Sequence, residues 1–407
     1  MTTKTLPSLA AVRPGQAAAD VLDRAAAHLD PPFAVLDLGA LRANADDLVV
    51  RASGKPIRVA SKSVRCRWVI DEVLRVPGYA GVLALTLPEA LWLAETVDDV
   101  VVGYPTADRS ALKNLAADER LAARVTLMVD SIESLDFLRV HLPPAAAPVR
   151  ICLELDAALR LGRLHLGARR SPTHDAGALG ALAGEVARDA RFRLVGVMGY
   201  EGQIAGLGDD GPDRLRRLPT RLVQAASAWE LARRRAAAVA AVRSVADLEF
   251  VNGGGTGSIE RTVSEDAVTE VAAGSGLYGP TLFDNYRAFQ PAPAAYFATA
   301  VVRRPAPGMV TVQGGGWIAS GPPGADRQPV PVWPEGLSLL PAEGAGEAQT
   351  PLAGGAVADG LALGDRVWWR HAKAGELCER VASLALVADG NVVGTVPTYR
   401  GEGHAFL

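Results

Sequence analysis

Short apolar runs alternate with longer stretches in which apolar and polar residues recur at helical spacing. Between about residues 33 and 290 this alternation predicts repeated strand–helix units, which is typical of a parallel α/β fold. Strands are predicted at Phe33–Leu38, Ile57–Ser61, Gly81–Leu85, Val100–Val102, Val125–Val129, Val149–Leu155, Leu194–Gly199 and Leu248–Asn252. Helices are predicted around Leu41–Val50, Pro88–Glu95, Ser110–Asp118, Ser131–Val140, Asp175–Asp189 and Arg214–Val245. Eight strands with intervening helices favour a TIM-like (β/α)8 barrel over an open sheet.

Beyond about residue 290 the pattern changes to short runs rich in valine and tryptophan, separated by proline and glycine. Strands are predicted at Val301–Arg303, Met309–Val312, Arg366–Arg370, Leu384–Val387 and Val392–Val396. The last two flank Asp389-Gly390-Asn391, a hairpin signal. We therefore expect an N-terminal arm over 1–30, a barrel over 31–290 and an antiparallel β domain over 291–407. Within the β domain, Pro322–Pro351 is expected to be a surface loop or lid in which Leu337–Leu340 forms a short strand.

Composition points to a globular protein that binds a small molecule. The 407 residues are 49% hydrophobic, and 45 acidic residues against 42 basic ones give a net charge of −3. This balance shows no basic footprint for nucleic acid or for an anionic membrane surface. No run reaches the roughly 18 uncharged apolar residues of a membrane span. Three scattered cysteines without a CxxC pair fit a reducing cytoplasm.

Arginines cluster in one predicted helix, at Arg214–Arg221 and Arg233–Arg235. We expect both runs to form the solvated face of that helix rather than an anion site.

Lys62 is the first residue that could carry chemistry. It ends the run Ile57-Arg58-Val59-Ala60-Ser61-Lys62, and the C-terminal ends of parallel barrel strands form the active face. A lysine amine at such a place could attack a carbonyl carbon. Taken alone, this position is more simply explained as that of an ordinary solvated lysine.

A glycine run follows the last predicted barrel strand. In Asn252-Gly253-Gly254-Gly255-Thr256-Gly257-Ser258, backbone N–H groups and two hydroxyls could surround an anion. The run lacks the lysine of a Walker loop and is not a complete GxGxxG motif, so a plain turn remains an alternative. Gly274–Tyr278 could add a tyrosine hydroxyl to the same anion, although Tyr278 could also be a half-buried packing residue.

The order of these motifs along the chain resembles one enzyme family. The ordered set consists of Pro32–Asp37 with Asn44, Val59–Ser63, Gly199–Gly202, Gly253–Gly257, Gly274–Tyr278 with Asp284, and the segment around His371. It resembles fold-type III enzymes that use pyridoxal 5'-phosphate (PLP), which have a barrel of the alanine racemase N-terminal type. Within them it is similar to the D-threonine aldolase/D-serine dehydratase family, in the amino acid deaminase/aldolase branch.

The resemblance implies roles for the matching residues. Lys62 would form the Schiff base with PLP and act as a base on one face of it. The phosphate would be held by Gly254, Gly255, Thr256 and Tyr278, and Tyr200 would flank the cofactor. The segment Glu154–Arg160 matches a family strand that ends in an acid and is followed by an arginine. By that likeness Arg160 would approach the cofactor ring or its phenolic oxygen, with His165 nearby; either could instead be a surface or core polar residue.

The family also holds a divalent metal, zinc or manganese, on a histidine and on a cysteine or aspartate two residues later. Here the histidine matches at His371, but the second position is Lys373. A protonated lysine cannot bind a metal because it has no lone pair to donate. Either the Lys373 ammonium replaces the metal, which we favour, or the ligands shift to Glu376 or Cys378. In a third alternative, His371 and Lys373 share a solvent-facing side of a strand.

The resemblance implies a homodimeric lyase in which the partner's β domain completes each site. Its substrate would be a small β-hydroxy amino acid, of D configuration, and the reaction a dehydration with deamination or an aldol cleavage. One rival is an amino acid racemase or epimerase, in which His371 or Lys373 supplies a second base. Another is a non-catalytic PLP-binding protein, against which the additional β domain argues.

Overall fold

The computed structural model describes residues 6–143, 147–322 and 324–407, and the chain forms two compact units. The barrel unit comprises Leu48–Lys62, Pro77–Ala273 and the residues Phe406–Leu407. The β unit comprises the chain that ends at Asp47, together with Ser63–Val76 and Gly274–Ala405. Each unit consists of several separate segments of the chain. Their boundaries therefore differ from those of the expected ranges 1–30, 31–290 and 291–407.

The barrel unit contains eight parallel strands that close on themselves. The strands are Ile57–Ala60, Tyr79–Ala84, Val100–Val102, Val125–Val129, Val149–Glu154, Phe192–Gly199, Phe250–Gly253 and Glu270–Ala273. Each pairs in parallel with the next, and the last closes onto the first with Val271 opposite Ile57. The prediction of an α/β fold with a (β/α)8 barrel is confirmed.

One predicted barrel strand lies elsewhere. Phe33–Asp37 pairs antiparallel with Ala295–Arg303 and parallel with Ser383–Ala388, so its placement in the barrel was wrong. The eighth barrel strand is Glu270–Ala273, which the pattern analysis missed. A buried apolar run has the same appearance in either sheet, and a short strand that begins with a carboxylate gives little hydrophobic signal. Glu270 is nevertheless buried, because its carboxylate pairs with Arg58 at 2.8 Å.

The predicted helices are present, and side-chain caps set where several of them begin. Asp108 and Asp175 accept hydrogen bonds from amides of the first turn, and Ser131 forms a reciprocal capping box. Helices in the chain up to residue 262 are Ala19–Ala25, Leu38–Arg51, Arg67–Leu74, Leu87–Leu93, Arg109–Ala117, Glu119–Arg124, Ile132–His141, Ala176–Ala187, Gly202–Ala205, Arg214–Arg243 and Ile259–Thr262. A small hairpin, Leu159–Leu161 with Leu164–Leu166, follows the fifth barrel strand.

The β unit contains a nine-stranded sheet. Its strands are Phe33–Asp37, Ala295–Arg303, Met309–Gln313, Val330–Trp333, Ser338–Leu339, Gln349–Ala353, Arg366–Arg370, Ser383–Ala388 and Asn391–Pro397. Every pairing is antiparallel except that of Phe33–Asp37 with Ser383–Ala388. Trp368, Trp369 and Phe297 are fully buried in its core. The predicted antiparallel β domain is confirmed.

Two local predictions in the β unit have different outcomes. Asp389 and Gly390 both have positive φ and join Ala388 to its partner Asn391, so the predicted tight hairpin is confirmed. The described part of Pro322–Pro351 is more ordered than the expected loop, because three short strands run through or into it. Its apolar and proline-rich runs can pair at the edges of a sheet, where missing N–H donors are tolerated.

Short helical segments in the β unit are Leu9–Ala11, Ser275–Tyr278, Thr281–Asn285, Ala325–Arg327, Ala356–Asp359 and Glu376–Arg380. The cysteines Cys66, Cys152 and Cys378 are free and buried. Among the residues that the structure describes, no helix combines the length and apolar character that crossing a bilayer requires.

Candidate active site

Lys62 lies where the first barrel strand ends, in the short 3-10 turn Ser61–Ser63. The Ser61 hydroxyl donates to the carbonyl of Leu83 at 3.2 Å, which ties this turn to the second strand. Because the carboxyl ends of parallel strands share one face of a barrel, Lys62 belongs to the face on which active sites are built. Its side chain is partly exposed there.

Two tyrosines flank the Lys62 amine. Its Nζ donates a 2.8 Å hydrogen bond to the Tyr104 hydroxyl and lies 5.9 Å from the centre of the Tyr200 ring. Burial opposes ionisation of Tyr104, yet the charges of Lys62 and Arg170 outweigh it and lower the pKa of this phenol. Burial raises the pKa of Tyr200 to about 12, so Tyr200 stays neutral.

Arg170 completes this cluster, and the pattern analysis missed it. Its guanidinium carbon lies 5.3 Å from the centre of the Tyr104 ring and 5.6 Å from that of Tyr200. Both distances are typical of cation–π contacts. Nothing in the sequence distinguished Arg170 from the neighbouring arginines. In the structure, the buried hydroxyl of the adjacent Ser171 donates to the carbonyl of Glu154 at 2.8 Å. This bond holds the segment after the hairpin against the end of the fifth barrel strand.

Arg160 and His165 sit on the preceding hairpin and have other partners. Arg160 is exposed and pairs with the carboxylate of Asp156. His165 Nε2 lies 3.4 Å from the carbonyl oxygen of Ala168. The structure thus brings Arg170, and not Arg160, to the tyrosines beside Lys62. The sequence could not distinguish them, because the hairpin adds residues between the strand and the arginine.

Glu154, the last residue of the fifth strand, is a buried acid close to Arg170. Burial, and the nearby carboxylate of Asp130, raise the pKa of Glu154 to about 7, against the opposing effect of Arg170. Near neutral pH a large share of the Glu154 side chains therefore carries a proton.

The glycine loop follows the seventh strand, Phe250–Gly253. Gly254 has a φ of +81°, which only glycine adopts readily. Its amide donates to Glu201 at 3.2 Å, and the amide of Gly255 donates to the Ser258 hydroxyl at 3.2 Å. Thr256 is buried. Contacts inside the protein therefore fix the shape of this loop, and phosphate binding by it stays a prediction.

The loop also packs closely on Tyr200. A methyl group added at Gly255 would lie 3.0 Å from the Cε2 atom of the Tyr200 ring, so a larger residue there would require the ring to shift by a few tenths of an ångström. The loop and Lys62 thus contact the same aromatic side chain.

Glu201 and Arg235, which brace this loop, were also missed. Arg235 was expected on the solvated face of its helix, but it is only 1% exposed and pairs with Glu201 at 3.0 Å. That expectation was wrong for Arg235, because a buried carboxylate required a counter-charge from the helix. In the run Arg214–Arg221, Arg214 and Arg216 are exposed, and Arg217 and Arg221 are half-buried.

In the β unit, Tyr278 and His371 form a buried pair. Their ring centres lie 6.4 Å apart in an edge-on arrangement, and the Tyr278 hydroxyl donates to the carbonyl of Val64 at 3.0 Å. Burial raises the pKa of Tyr278 far above its ordinary value. The phosphate contact predicted for this tyrosine stays a prediction, since its hydroxyl already has a partner within the β unit.

His371 is a neutral imidazole. It is 1% exposed, and burial together with the charge of Arg370 lowers its pKa to about 3. Neither ring nitrogen has a hydrogen-bond partner of ordinary geometry among the described residues, although the backbone of Ala295 opposes part of this shift. The alternative in which His371 and Lys373 share a solvent-facing strand surface was wrong: the strand ends at Arg370, and the histidine points inward.

Lys373 belongs to a polar chain of three residues. Its Nζ lies 3.5 Å from the hydroxyl of Ser320, whose amide and hydroxyl both donate to Glu376, at 3.1 and 3.3 Å. Burial raises the pKa of Glu376, against the opposing bonds from Ser320. Burial likewise keeps the thiol of Cys378 protonated by raising its pKa.

The family follows from a sequence comparison. The family described as "Alanine racemase, N-terminal domain" matches residues 36–281 of this chain. The chain belongs to this family. The resemblance to fold-type III PLP enzymes, drawn from the order of the motifs, is thereby confirmed.

One curated relative and several solved structures are similar to this alanine racemase N-terminal domain protein over most of its length. A D-threonine aldolase of Arthrobacter sp. is 24% identical over 298 residues, 71% of this chain and 72% of the relative. The crystal structure of D-threonine aldolase from Filomicrobium marinum is similar with a TM-score of 0.75 and 21% identity, over 92% of this chain and 96% of that one. D-threo-3-hydroxyaspartate dehydratase from Delftia sp. HT23 is similar with a TM-score of 0.70 and 23% identity, over 93% and 98%.

The residues around Lys62 fit the cofactor that this family implies. PLP has three parts to be held. Its aldehyde needs an amine, its phenolic ring needs a flat side chain and a cation beside it, and its phosphate needs a loop of small residues. Lys62 supplies the amine, Tyr200 the flat ring and Arg170 the cation. The glycine loop, in which Gly255 lies close to Tyr200, supplies the small residues.

The residues around His371 do not fit a divalent metal. Lys373 has no lone pair while protonated, Cys378 is a buried thiol, and Glu376 is already bonded to Ser320. Within 6–143, 147–322 and 324–407, no three histidine, cysteine, aspartate or glutamate side chains cluster as metal ligands would.

Proposed function

We propose that this chain is a PLP-dependent lyase, a dehydratase/deaminase or an aldolase, for a small β-hydroxy amino acid of D configuration. The observation that carries the proposal is the Lys62 amine, which ends a barrel strand between Tyr104 and Tyr200 in a chain of this family. The similar D-threonine aldolases and the hydroxyaspartate dehydratase support the substrate class.

In the barrel unit, Lys62, Arg170, Tyr200 and the loop from Gly254 to Thr256 hold the cofactor. When bound, PLP supplies an electron-accepting ring that stabilises the charge left at Cα. Lys62 provides the attachment point and moves the proton at Cα. Tyr104 accepts a hydrogen bond from the Lys62 amine and thereby keeps that amine in one position.

In the β unit, Lys373 takes the place of the metal ion. Its ammonium donates hydrogen bonds to the β hydroxyl or to a carboxylate of the substrate, which helps the hydroxyl leave or lose its proton. In aldol cleavage, His371, which is uncharged because it is buried, would accept the proton of the β hydroxyl. In dehydration, the Lys373 ammonium would donate a proton to the hydroxyl, which leaves as water. Neither step requires zinc or manganese.

A racemase or epimerase is the second candidate. Such an enzyme needs a base on each face of Cα, and the absence of a fitting metal site frees His371 and Lys373 for this role. The family description, which is that of alanine racemase, supports this reading. A non-catalytic PLP-binding protein would need neither residue.

We also propose that the enzyme is a homodimer and works in the cytoplasm. The dimer is proposed on the family resemblance, in which a partner's β domain completes each site. The cytoplasm is proposed on the three cysteines, which are free and buried.

Product analysis tests the proposal. The purified chain, loaded with PLP, is incubated with D-threonine, D-serine, D-threo-3-hydroxyaspartate and their L enantiomers. A 2-oxo acid with ammonia identifies a dehydratase, and glycine with an aldehyde identifies an aldolase. Inversion without bond cleavage at Cβ identifies the racemase. No turnover of any of these substrates, with PLP bound, would contradict both.

A further inference from the structure

Glu201 is a buried carboxylate behind the glycine loop. It follows Tyr200 at the end of the sixth barrel strand and is only 1% exposed. A carboxylate at this depth is costly unless hydrogen bonds and a counter-charge compensate it. The hydrogen-bond donors and the counter-charge of Glu201 therefore indicate its role.

Three donors to Glu201 come from the loop and from the short helix Ile259–Thr262 that follows. Oε2 accepts the amide of Gly254 at 3.2 Å. Oε1 accepts the hydroxyl of Ser258 at 3.2 Å and that of Thr262. The carboxylate thus fixes the direction of the Gly254 peptide and the distance between the loop and its helix.

The counter-charge is Arg235, which is also 1% exposed. Its Nη2 donates to Glu201 at 3.0 Å and to the carbonyl of Gly199 at 3.1 Å. Its Nη1 donates to Glu265 at 2.6 Å. Arg235 therefore has two carboxylate partners, of which only Glu201 contacts the glycine loop in the bonds described.

The loop held in this way reaches the Lys62 cluster through one ring. Gly255 lies against Tyr200 so closely that an added methyl group would sit 3.0 Å from the ring, and the Lys62 amine is 5.9 Å from the centre of that ring. The glycine loop and the Lys62 amine therefore both lie beside the Tyr200 ring.

We propose that Glu201 is a positioning residue that holds the glycine loop in the shape that accepts the phosphate of PLP. The inference rests on the proposed function, because it assumes that PLP is the cofactor. It assigns Glu201 to the phosphate end of the cofactor alone, and the amine chemistry of Lys62 does not depend on it.

Binding of PLP and of pyridoxal tests the phosphate end and the aldehyde end of the cofactor independently. The full chain, freed of bound cofactor, is titrated with PLP and with pyridoxal, which lacks the phosphate, and each dissociation constant is measured by absorbance. In Glu201→Gln the dissociation constant for PLP should rise by about tenfold or more, as for lost outer-shell support. The constant for pyridoxal should change by less than about twofold.

Glu265→Gln is the matched control. It removes the other carboxylate of Arg235 but no bond to the loop, so both constants should stay within about twofold of the unmodified chain. Equal weakening of PLP and pyridoxal in Glu201→Gln would overturn the proposal, since it would indicate a general distortion. An unchanged PLP constant would also overturn it.

Thr262 provides a second route if Glu201→Gln does not fold. Thr262→Val removes one donor to Glu201, whereas Thr262→Ser keeps the hydroxyl. The proposal predicts that PLP binding is weaker by about threefold or more in the valine variant and recovers in the serine variant. Equal dissociation constants in the two variants would overturn it.

If the unmodified chain binds neither aldehyde at Lys62, the proposed function fails as well. If PLP binds at Lys62 and only the variants show no effect, this inference alone fails.

Discussion

The amine of Lys62 and the hydroxyl of Tyr104 form a 2.8 Å hydrogen bond across the mouth of the barrel. Lys62 follows the first barrel strand, and Tyr104 comes two residues after the third, so the barrel fold rather than sequence proximity brings them together. The bond holds the amine near Tyr200 and leaves Tyr104 with a lowered pKa, although burial opposes that shift.

Replacing Tyr104 with phenylalanine should lower turnover without releasing the cofactor. The ring that lies 5.6 Å from the Lys62 amine remains, but the hydroxyl that positions this amine is lost. We expect kcat to fall by about 10- to 100-fold, with PLP still attached to Lys62. Steady-state kinetics and the absorbance of the bound cofactor measure the two effects. An unchanged kcat would show that the hydrogen bond has no role in the reaction.

Arg170 and Arg160 offer a matched comparison. Arg170→Lys should weaken PLP binding by about tenfold, because a lysine cannot reproduce the flat guanidinium beside Tyr104 and Tyr200. Arg160→Lys should change it by less than about twofold, because Arg160 pairs with the buried carboxylate of Asp156 instead of the tyrosines and a lysine keeps the positive charge. Dissociation constants measured on both variants decide the matter, and the reverse order of effects would favour the sequence-based choice of Arg160.

Chelation should leave the activity intact. With Lys373 in the place of a metal ligand, prolonged treatment with EDTA should change kcat by less than about twofold. Lys373→Met should instead reduce kcat by about tenfold or more, whereas the exposed Lys113→Met serves as a control without effect. Loss of activity on chelation, restored by zinc or manganese, would show that a metal is bound after all.

Glu154 should make stability depend on pH. Its pKa is raised by burial to about 7 in the folded chain, so the folded state holds a proton that the unfolded state releases above its ordinary value of 4.5. Stability should therefore fall as pH rises through this window, by about 3 kcal/mol. Urea unfolding at about pH 5 and about pH 8 should show that Glu154→Gln removes much of this difference. An unchanged pH dependence in the variant would mean that Glu154 titrates normally.

The barrel and the β domain could be predicted because their hydrophobic periods differ, and because the helix caps and the Asp389-Gly390 turn are local signals. The position of Phe33–Asp37 could not, since its pairing with Ala295–Arg303 depends on contacts between residues far apart along the chain. Glu270 hid the last barrel strand for a related reason: its charge is neutralised by Arg58, which is distant in sequence.

In the candidate site, Lys62, Tyr200 and the glycine loop were predictable from motifs at strand ends. Arg170, Glu201 and Arg235 were not predictable, because the sequence does not show whether a charged residue is buried or exposed. Only the folded chain shows that Arg235, in a run of arginines, turns inward to meet Glu201. The hairpin after Glu154 similarly hid which arginine reaches the tyrosines.

Mass spectrometry of the borohydride-reduced protein tests the central claim most directly. The full chain is incubated with PLP, reduced, digested and sequenced. We predict that an absorbance band at about 420 nm disappears on reduction and that the pyridoxyl group is found on the peptide containing Lys62. In Lys62→Ala both signals should be absent. A pyridoxyl group on another lysine, or an unmodified Lys62 peptide after saturation with PLP, would contradict the account.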